Sequence, residues 1–362
     1  MLRTLSILAL PALVFSLSAI TGCAVEDDDL APIEVSARAL TGSCSGTVGA
    51  NPFAEIDSFR LVVRDADGDE LYNKVAAKSG QTLTSTFVRA GSGLELSLLG
   101  SGGGKVKWFA RRSGQKIVKN TTSSFDMTMM AVEAFTCLAP AAGGAANVVF
   151  PAVTSIGKGR VLITGGFGVS SKSGDNVELT SAQDSAWIFD TDTGVLREAK
   201  NNARLTTPRA AHTAIFLPKS NRVLIVGGVQ KMTAAATSGP PVWKPTDGVN
   251  IPYEIFDVDT ETFVKPDAGS YEFAVRRAFP NLLALADDYV VALGGAVWPS
   301  NANVEQTTYR NSNLYDPNIG THGAFVKVFS ALPLNTVRAG AATAALGSTD
   351  DVDEALDAVC VR

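Results

Sequence analysis

The side chains that most often carry chemistry are scarce in this chain. It has two histidines, His212 and His322, and four cysteines. No Cys-x-x-Cys pair and no Cys/His cluster occurs, so the sequence does not predict a zinc site. The Gly-x-Ser-x-Gly elbow of the α/β-hydrolases is missing from the sequence as well. We therefore predict neither a metal centre nor a cofactor, and we name no catalytic residue.

A short acidic run is the closest approach to a cation site. Asp65, Asp67 and Asp69 alternate with small residues. However, Gly68 lies two places too early for an EF-hand loop, and no Glu stands at the closing position. Because an Asp-Gly step supplies the positive φ that tight hairpins need, the run predicts a turn between two strands.

The composition favours an all-β protein with many turns. Of the 362 residues only 19% are charged, whereas glycine occurs 33 times. This balance is unusual for a helical protein. The net charge is −5 and no basic cluster is present. A nucleic-acid partner is therefore not expected, since binding to phosphates needs a concentration of Lys and Arg.

The N-terminus has the pattern of an export signal. Arg3 precedes an apolar run over residues 5–20, which is shorter than a membrane-spanning helix needs to be. The run ends in Ile20-Thr21-Gly22-Cys23. This ending resembles the lipobox of bacterial lipoproteins, which implies cleavage after residue 22 and acylation of Cys23. The alternative is an ordinary signal peptide that happens to contain a cysteine.

Residues 23–38 are predicted to form an acidic tether between the anchor and the folded chain. The lipoprotein resemblance implies a cell-envelope location and a membrane as partner. Ala24, rather than Asp, follows the cysteine. In enteric bacteria that residue favours the outer membrane over the inner one.

Residues 39–138 are predicted to form a β-sandwich. Cys44 and Cys137 bracket this segment and could pair in an oxidising compartment, whereas the state of Cys360 stays open. Short alternating runs separated by turn residues predict strands at 59–64, 70–75, 82–89, 93–99, 105–111 and 125–132.

An internal repeat occupies residues 140–346. Three apolar runs each end in a double glycine, at Gly165-Gly166, Gly227-Gly228 and Gly294-Gly295. Downstream of each run comes an aromatic residue just before an Asp, at 186–190, 253–257 and 313–316. An Arg-Ala pair, beginning at Arg209, Arg277 and Arg338, marks a further element of the unit. We predict four strands per unit.

This pattern resembles the kelch motif, in which each repeat is one four-stranded blade of a β-propeller. It is similar to the propeller domain of galactose-oxidase-type proteins. The resemblance implies an all-β chain, with a β-sandwich followed by a partial propeller of about three blades. Two features depart from the family. Leu196 and Phe263 stand where a Trp usually closes the blade, and the glycine pairs are unusually far apart.

A fourth unit begins at Arg338 and is not continued in the sequence. Residues 347–362 are predicted to be a non-repeat acidic tail. Closed propellers have four or more blades. We therefore expect either that the chain is truncated or that it pairs with another chain, and we favour truncation.

The recurrent arginines allow two interpretations. They could ring a central channel and face an anionic ligand, or each could bond carbonyls and carboxylates of the scaffold. Recurrence once per blade favours the second. The galactose-oxidase resemblance implies a copper site of two His and two Tyr, one of them cross-linked to a Cys. With two histidines in all, we expect no copper.

The sequence best fits a binding or scaffolding module for a protein or a glycan, because long insertions on a rigid scaffold suit recognition. Trp243 and Trp298 lie in these insertions and are the predicted ligand contacts. The alternatives are a carbohydrate-active or oxidase-like propeller enzyme and a truncated product without function.

Overall fold

A computed structural model of the chain describes residues 29–39, 52–77, 82–132, 148–168, 170–173, 176–235, 242–245, 251–264, 266, 277–297, 307–308, 312–326, 343–345 and 359–361. The helical segments within these ranges include one turn at Pro52–Glu55 (α1) and two 3-10 turns at Lys200–Asn202 and Ala286–Asp288. The predicted all-β class is confirmed. Within the described ranges, no helix is long and apolar enough to cross a membrane.

The N-terminal domain is one seven-stranded sheet in the order β3-β2-β5-β6-β7-β1-β4. Its strands are β1 (Leu30–Ala39), β2 (Ser58–Arg64), β3 (Glu70–Ala77), β4 (Thr82–Arg89), β5 (Gly91–Gly102), β6 (Lys105–Ile117) and β7 (Ser123–Ala131). The edge strands β3 and β4 meet, and Tyr72 Oη lies 2.8 Å from Thr86 Oγ1. The strands therefore enclose their core within a single, nearly closed sheet instead of two facing sheets. Register shifts between β5 and β6 fit this strong curvature.

Strand β1 corrects the predicted tether. It lies inside the sheet, parallel to β7 and antiparallel to β4. Ile33 and Val35 are 0% and 1% exposed, whereas Glu34 between them is exposed. This alternation is a strand signal, and the acidic residues before it hid the signal from the sequence prediction. The tether prediction is therefore wrong for residues 30–38, while 23–28 lie outside the described ranges.

Three four-stranded antiparallel sheets follow, as the repeat predicts. Blade 1 consists of β8 (Ala152–Ser155), β9 (Arg160–Thr164), β12 (Ala186–Asp190) and β13 (Val195–Glu198). Blade 2 consists of β14 (Thr213–Leu217), β15 (Arg222–Val226), β18 (Glu254–Asp257) and β19 (Thr262–Val264). Blade 3 consists of β20 (Asn281–Ala284), β21 (Val290–Leu293), β24 (Ser312–Asp316) and β25 (Ala324–Phe325).

The blades stack face to face in chain order. Val223 and Ile225 on β15 are fully buried against blade 1, in a cluster that includes Leu162. Leu224 and Val226, on the opposite side of the same strand, are buried against blade 3. Because both sides of the strand pack against a neighbour, the strand is apolar at every interior position.

A two-stranded sheet continues the series beyond blade 3. It pairs β26 (Thr343–Ala345) with β27 (Val359–Val361), and β26 contacts β20 of blade 3. Strand β27 lies inside residues 347–362, the predicted non-repeat tail, so residues 359–361 of that segment form a strand. Arg338 and residues 346–358 lie outside the described residues.

The insertions that follow the double glycines are not only loops. Blade 1 contributes β10 (Ser170–Ser173) and β11 (Asn176–Leu179), and blade 2 contributes β16 (Met232–Ala235) and β17 (Val242–Pro245). Strand β11 pairs with β16, so the two insertions form one four-stranded sheet, here called the inserted sheet. Blade 3 adds a separate pair, β22 (Ala296–Val297) and β23 (Thr307–Thr308).

Candidate functional site: the blade-leading segments

The repeated Arg-Ala pairs lie in short segments that lead into the inner strand of each blade. We call 148–151, 209–212 and 277–280 the blade-leading segments. Arg209 and Arg277 precede β14 and β20 by four residues, so their predicted place on a strand is wrong. Each segment is tied to its own blade by one bridge, such as Ala210 to Val229.

Backbone hydrogen bonds join successive leading segments. Phe150, Ala211 and Phe279 occupy matching positions and have φ of 56°, 54° and 53°. The amide of Ala211 donates to the carbonyl of Phe150 at 2.9 Å, and the amide of Phe279 donates to that of Ala211 at 2.8 Å. The left-handed conformation therefore recurs once per blade, at the residues whose main-chain hydrogen bonds join one blade to the next.

The double glycines hold each blade against the next leading segment. The Gly166 amide donates to the Arg209 carbonyl at 2.9 Å, and the Gly228 amide donates to the Arg277 carbonyl at 2.7 Å. A Cβ on Gly227 would lie only 2.5 Å from the Arg277 carbonyl oxygen, and one on Gly165 would lie closer still to that of Arg209. All six glycines, Gly165, Gly166, Gly227, Gly228, Gly294 and Gly295, have positive φ.

Arg209 forms a buried ion pair with Glu254, the first residue of β18. Both side chains are 0% exposed. Arg209 Nη1 also donates to the Gly227 carbonyl at 3.1 Å. The Glu254 carboxylate accepts the amides of Thr206 at 2.6 Å and Thr207 at 3.2 Å. Burial lowers the pKa of Arg209, and the neighbouring Glu254 offsets only part of this effect, so the net shift is downward.

The other two blades have different residues at the position of the Arg209–Glu254 pair. Arg277 is 1% exposed and donates to Asn313 Oδ1 at 2.6 Å, so a neutral amide occupies the place of Glu254. In blade 1 the matching position holds Trp187, which is 7% exposed. The Arg209 and Arg277 guanidiniums therefore bond within the scaffold, which is the second of the two interpretations of the repeat. Arg338 lies outside the described residues.

His212 joins blade 2 to blade 1. Its Nε2 lies 2.9 Å from Thr164 Oγ1 at the end of β9. Burial, followed by the nearby Arg209, holds the pKa of His212 well below its usual range. The ring is therefore neutral and serves as a packing element. The carbonyl of His322, the other histidine, accepts a hydrogen bond of 2.5 Å from Tyr315 Oη in blade 3.

The inserted sheet covers the leading segments. Leu179 and Met232 from its central strands pack against Ala210, Ala211 and Ala278. The rings of Phe150 and Phe279 meet edge to face in the same region, with centroids 5.6 Å apart. This end of the blade stack is thus filled with apolar side chains.

Of the two tryptophans predicted to contact a ligand, one lies in a strand and the other lies outside the described residues. Trp243 lies in β17 with Ala234 as its register partner, so its predicted loop position is wrong. The Ser- and Gly-rich surroundings hid these four-residue strands. Trp298 lies outside the described residues, as do Cys23, Cys44 and Cys137. In the described part of the chain, no three His, Cys, Asp or Glu residues are grouped to hold a metal ion.

Sequence reasoning missed another ionic contact, which joins blade 1 to blade 2. Glu261, 1% exposed, accepts two hydrogen bonds from Arg197, at 2.7 and 2.8 Å, and the Lys200 amide at 2.9 Å. The Arg197 hydrogen bonds, the Lys200 amide and both positive charges lower the pKa of Glu261 to about 2. Glu261 also has a positive φ of 56° in the β18–β19 turn, a conformation that no sequence motif announced.

This contact predicts acid sensitivity of the blade 1–blade 2 interface. The folded pKa of Glu261 lies below the ordinary value of 4.5, so its stabilisation is complete above pH 4.5 and is lost as the pH falls towards 2. Because Arg197 is partly exposed, we expect Glu261 to contribute about 2 kcal/mol. Urea titrations at pH 7 and pH 3 should show that Glu261→Gln destabilises the protein more at pH 7. An equal loss at both pH values would contradict this.

No protein-family model matches the chain, and no curated protein matches it. It is similar to a fungal alcohol oxidase of the AA5 family in complex with copper, with a TM-score of 0.28 and 10% identity. That alignment covers 71% of this chain and 53% of the oxidase, so the chain spans about half the oxidase's length.

A second solved structure is a leucine-rich repeat protein from Bacteroides thetaiotaomicron. Its TM-score is 0.19 at 13% identity, and the alignment covers 61% of this chain and 24% of that protein. At such scores the likeness carries no argument about activity.

Proposed function

We propose that this protein is a kelch-type binding module, held in the bacterial cell envelope by a lipid on Cys23. The N-terminal domain carries the blades away from the membrane, and the blades present the inserted sheet to a protein or glycan. The repeat pattern supports the kelch assignment, and the lipobox-like ending Ile20-Thr21-Gly22-Cys23 supports the anchor.

The observation that carries the binding role is the inserted sheet. Pairing of β11 with β16 makes a platform from two blades, so it is rigid where separate loops would move. One face of this sheet packs on the leading segments through Leu179 and Met232, which are both at most 2% exposed. Glu178 on the central strand β11 and Lys231, the residue just before β16, are exposed. Recognition through such a platform requires no chemistry from the buried Arg209 and Glu254.

The anchor and the binding role can be tested together. Wild-type chain expressed in a Gram-negative host should fractionate with membranes, and Cys23→Ala should release it into the soluble fraction. The soluble Cys23→Ala chain, purified at full length, is then applied to a glycan array and to immobilised envelope proteins. We expect saturable binding of one ligand. The Glu178→Lys variant, which reverses a charge on the platform, should weaken that binding at least tenfold.

The control is Asp67→Lys, which reverses an exposed charge in the β2–β3 turn outside the platform. Equal weakening by both variants would show nonspecific binding and contradict the platform. Wild-type chain in the soluble fraction would contradict the anchor, and an absence of saturable binding on both surfaces would contradict the binding role.

A further inference from the structure

The N-terminal domain contacts blade 1 through the turn that joins β12 to β13. The Arg38 guanidinium at the end of β1 donates to the Thr193 carbonyl at 2.8 Å and to Thr128 Oγ1 at 3.1 Å. Thr128 lies on the outer face of β7, yet it is only 2% exposed. The turn over residues 190–194 therefore covers a part of the N-terminal sheet that would otherwise face solvent.

The contact lies where the N-terminal sheet is open. Strands β6 and β7 pair only at Trp108–Ala131 and Phe109–Met130, although both strands continue for several residues. Beyond these pairs the backbone of β6 is free to bond elsewhere. Ser113, Arg111 and Arg112 of β6 lie close enough to the Asp192 carboxylate of the turn to lower its pKa.

Asp192 is poorly accommodated in this contact as a charged group. It is half-buried, and its Oδ1 is a buried atom without a hydrogen-bond partner among the described residues. Burial and then the Asp190 carboxylate of the same turn raise the pKa of Asp192 to about 6. Arg112, the Ser113 amide and Arg111, all on β6, oppose this shift without cancelling it.

These observations identify the groups that decide how the contact responds to acid. From β6 they are Arg111 and Arg112, from β1 it is Arg38, and from β12 it is Asp190. The carboxylates of Asp190 and Asp192 share one five-residue turn, and that of Asp192 is partly desolvated against the N-terminal domain. A proton on Asp192 removes both the repulsion from Asp190 and the cost of desolvating a half-buried charge.

We propose that the 190–194 turn is an acid-strengthened latch, which fixes the N-terminal domain against blade 1 when Asp192 is protonated. This proposal does not depend on what the inserted sheet binds. An undocked Asp has an ordinary pKa of 3.8. Because the docked group holds its proton more readily, the latch is tightest below pH 4. It weakens as the pH rises towards 6 and is constant above that.

The test measures hydrogen exchange of the β12 and β13 amides in the full-length chain at pH 4.5 and pH 7.5, after correction for intrinsic rates. A shift of two pKa units allows a change of about a hundredfold, which partial exposure reduces to about tenfold. We expect Asp192→Asn, which mimics the protonated group, to raise protection about tenfold at pH 7.5 and by a clearly smaller factor at pH 4.5, where the docked carboxyl already holds its proton.

The Arg38→Ala variant distinguishes docking between the two domains from an effect that is confined to the turn itself. In the Arg38→Ala background, the gain from Asp192→Asn should fall below about twofold, because there is no docked contact to strengthen. A gain that survives Arg38→Ala would place the effect inside blade 1 and overturn the proposal. Loss of protection by Asp192→Asn at pH 7.5 would also overturn it, since the charged carboxylate would then be holding the contact.

Discussion

Glu254→Ala should lower the free energy of unfolding of blade 2 by about 3–5 kcal/mol, because it leaves Arg209 as a buried charge without its carboxylate. The amides of Thr206 and Thr207 lose their acceptor in the same variant. Urea titration followed by hydrogen exchange of the β15 and β18 amides measures this loss in blade 2 alone.

Blade 3 supplies a natural control for this variant. Asn313 accepts from Arg277 at the matching position, so Glu254→Asn should retain an acceptor and cost less than Glu254→Ala. Replacing both partners with Leu should restore much of the stability, since no charge is then left buried. A loss below 1 kcal/mol in Glu254→Ala would mean that water reaches Arg209, contrary to its 0% exposure.

Gly227→Ala should destabilise the interface between blades 2 and 3 by about 3 kcal/mol. The added methyl group meets the Arg277 carbonyl oxygen at 2.5 Å, and φ is +74°. Left-handed backbone costs a non-glycine residue about 1–2 kcal/mol, and the displaced carbonyl weakens its bond from Gly228. The loss is measured by hydrogen exchange of the β15 and β21 amides in urea.

Gly157→Ala is the matched control. Gly157 has almost the same φ, +75°, but the nearest atom to its added Cβ would be in the Phe216 ring at 3.9 Å. It should therefore show the backbone cost alone, about 1 kcal/mol. Equal losses in the two variants would show that the contact with Arg277 is unimportant.

The sequence is most informative where a repeat imposes the same environment several times. The three double-glycine runs and their aromatic-Asp partners predicted three four-stranded blades, and each lies where the pattern places it. Strand β1 was missed because its alternation follows an acidic stretch. The inserted strands were missed because four-residue strands rich in Ser, Thr and Ala have little hydrophobic signal.

The polar contacts at the leading segments were only partly predictable. Recurrence pointed to Arg209 and Arg277, but their partners differ between blades, as Glu254 and Asn313. No pattern shared by the blades could therefore identify them. The hydrogen-bond partner of Glu261 is Arg197, 64 positions away in the chain, and the pKa of Asp192 depends on arginines of the N-terminal domain. Such pairings arise only when the chain is folded.

The amide-to-carbonyl links between Phe150, Ala211 and Phe279 have a consequence for how such a protein can change in length. Each link uses main-chain atoms and tolerates side chains as different as Phe and Ala. A gene duplication or deletion that adds or removes one whole blade would preserve the same join on either side. Units that contact only their neighbours fold and fail locally. The number of blades can therefore vary between descendants of one gene while the rule of assembly stays the same.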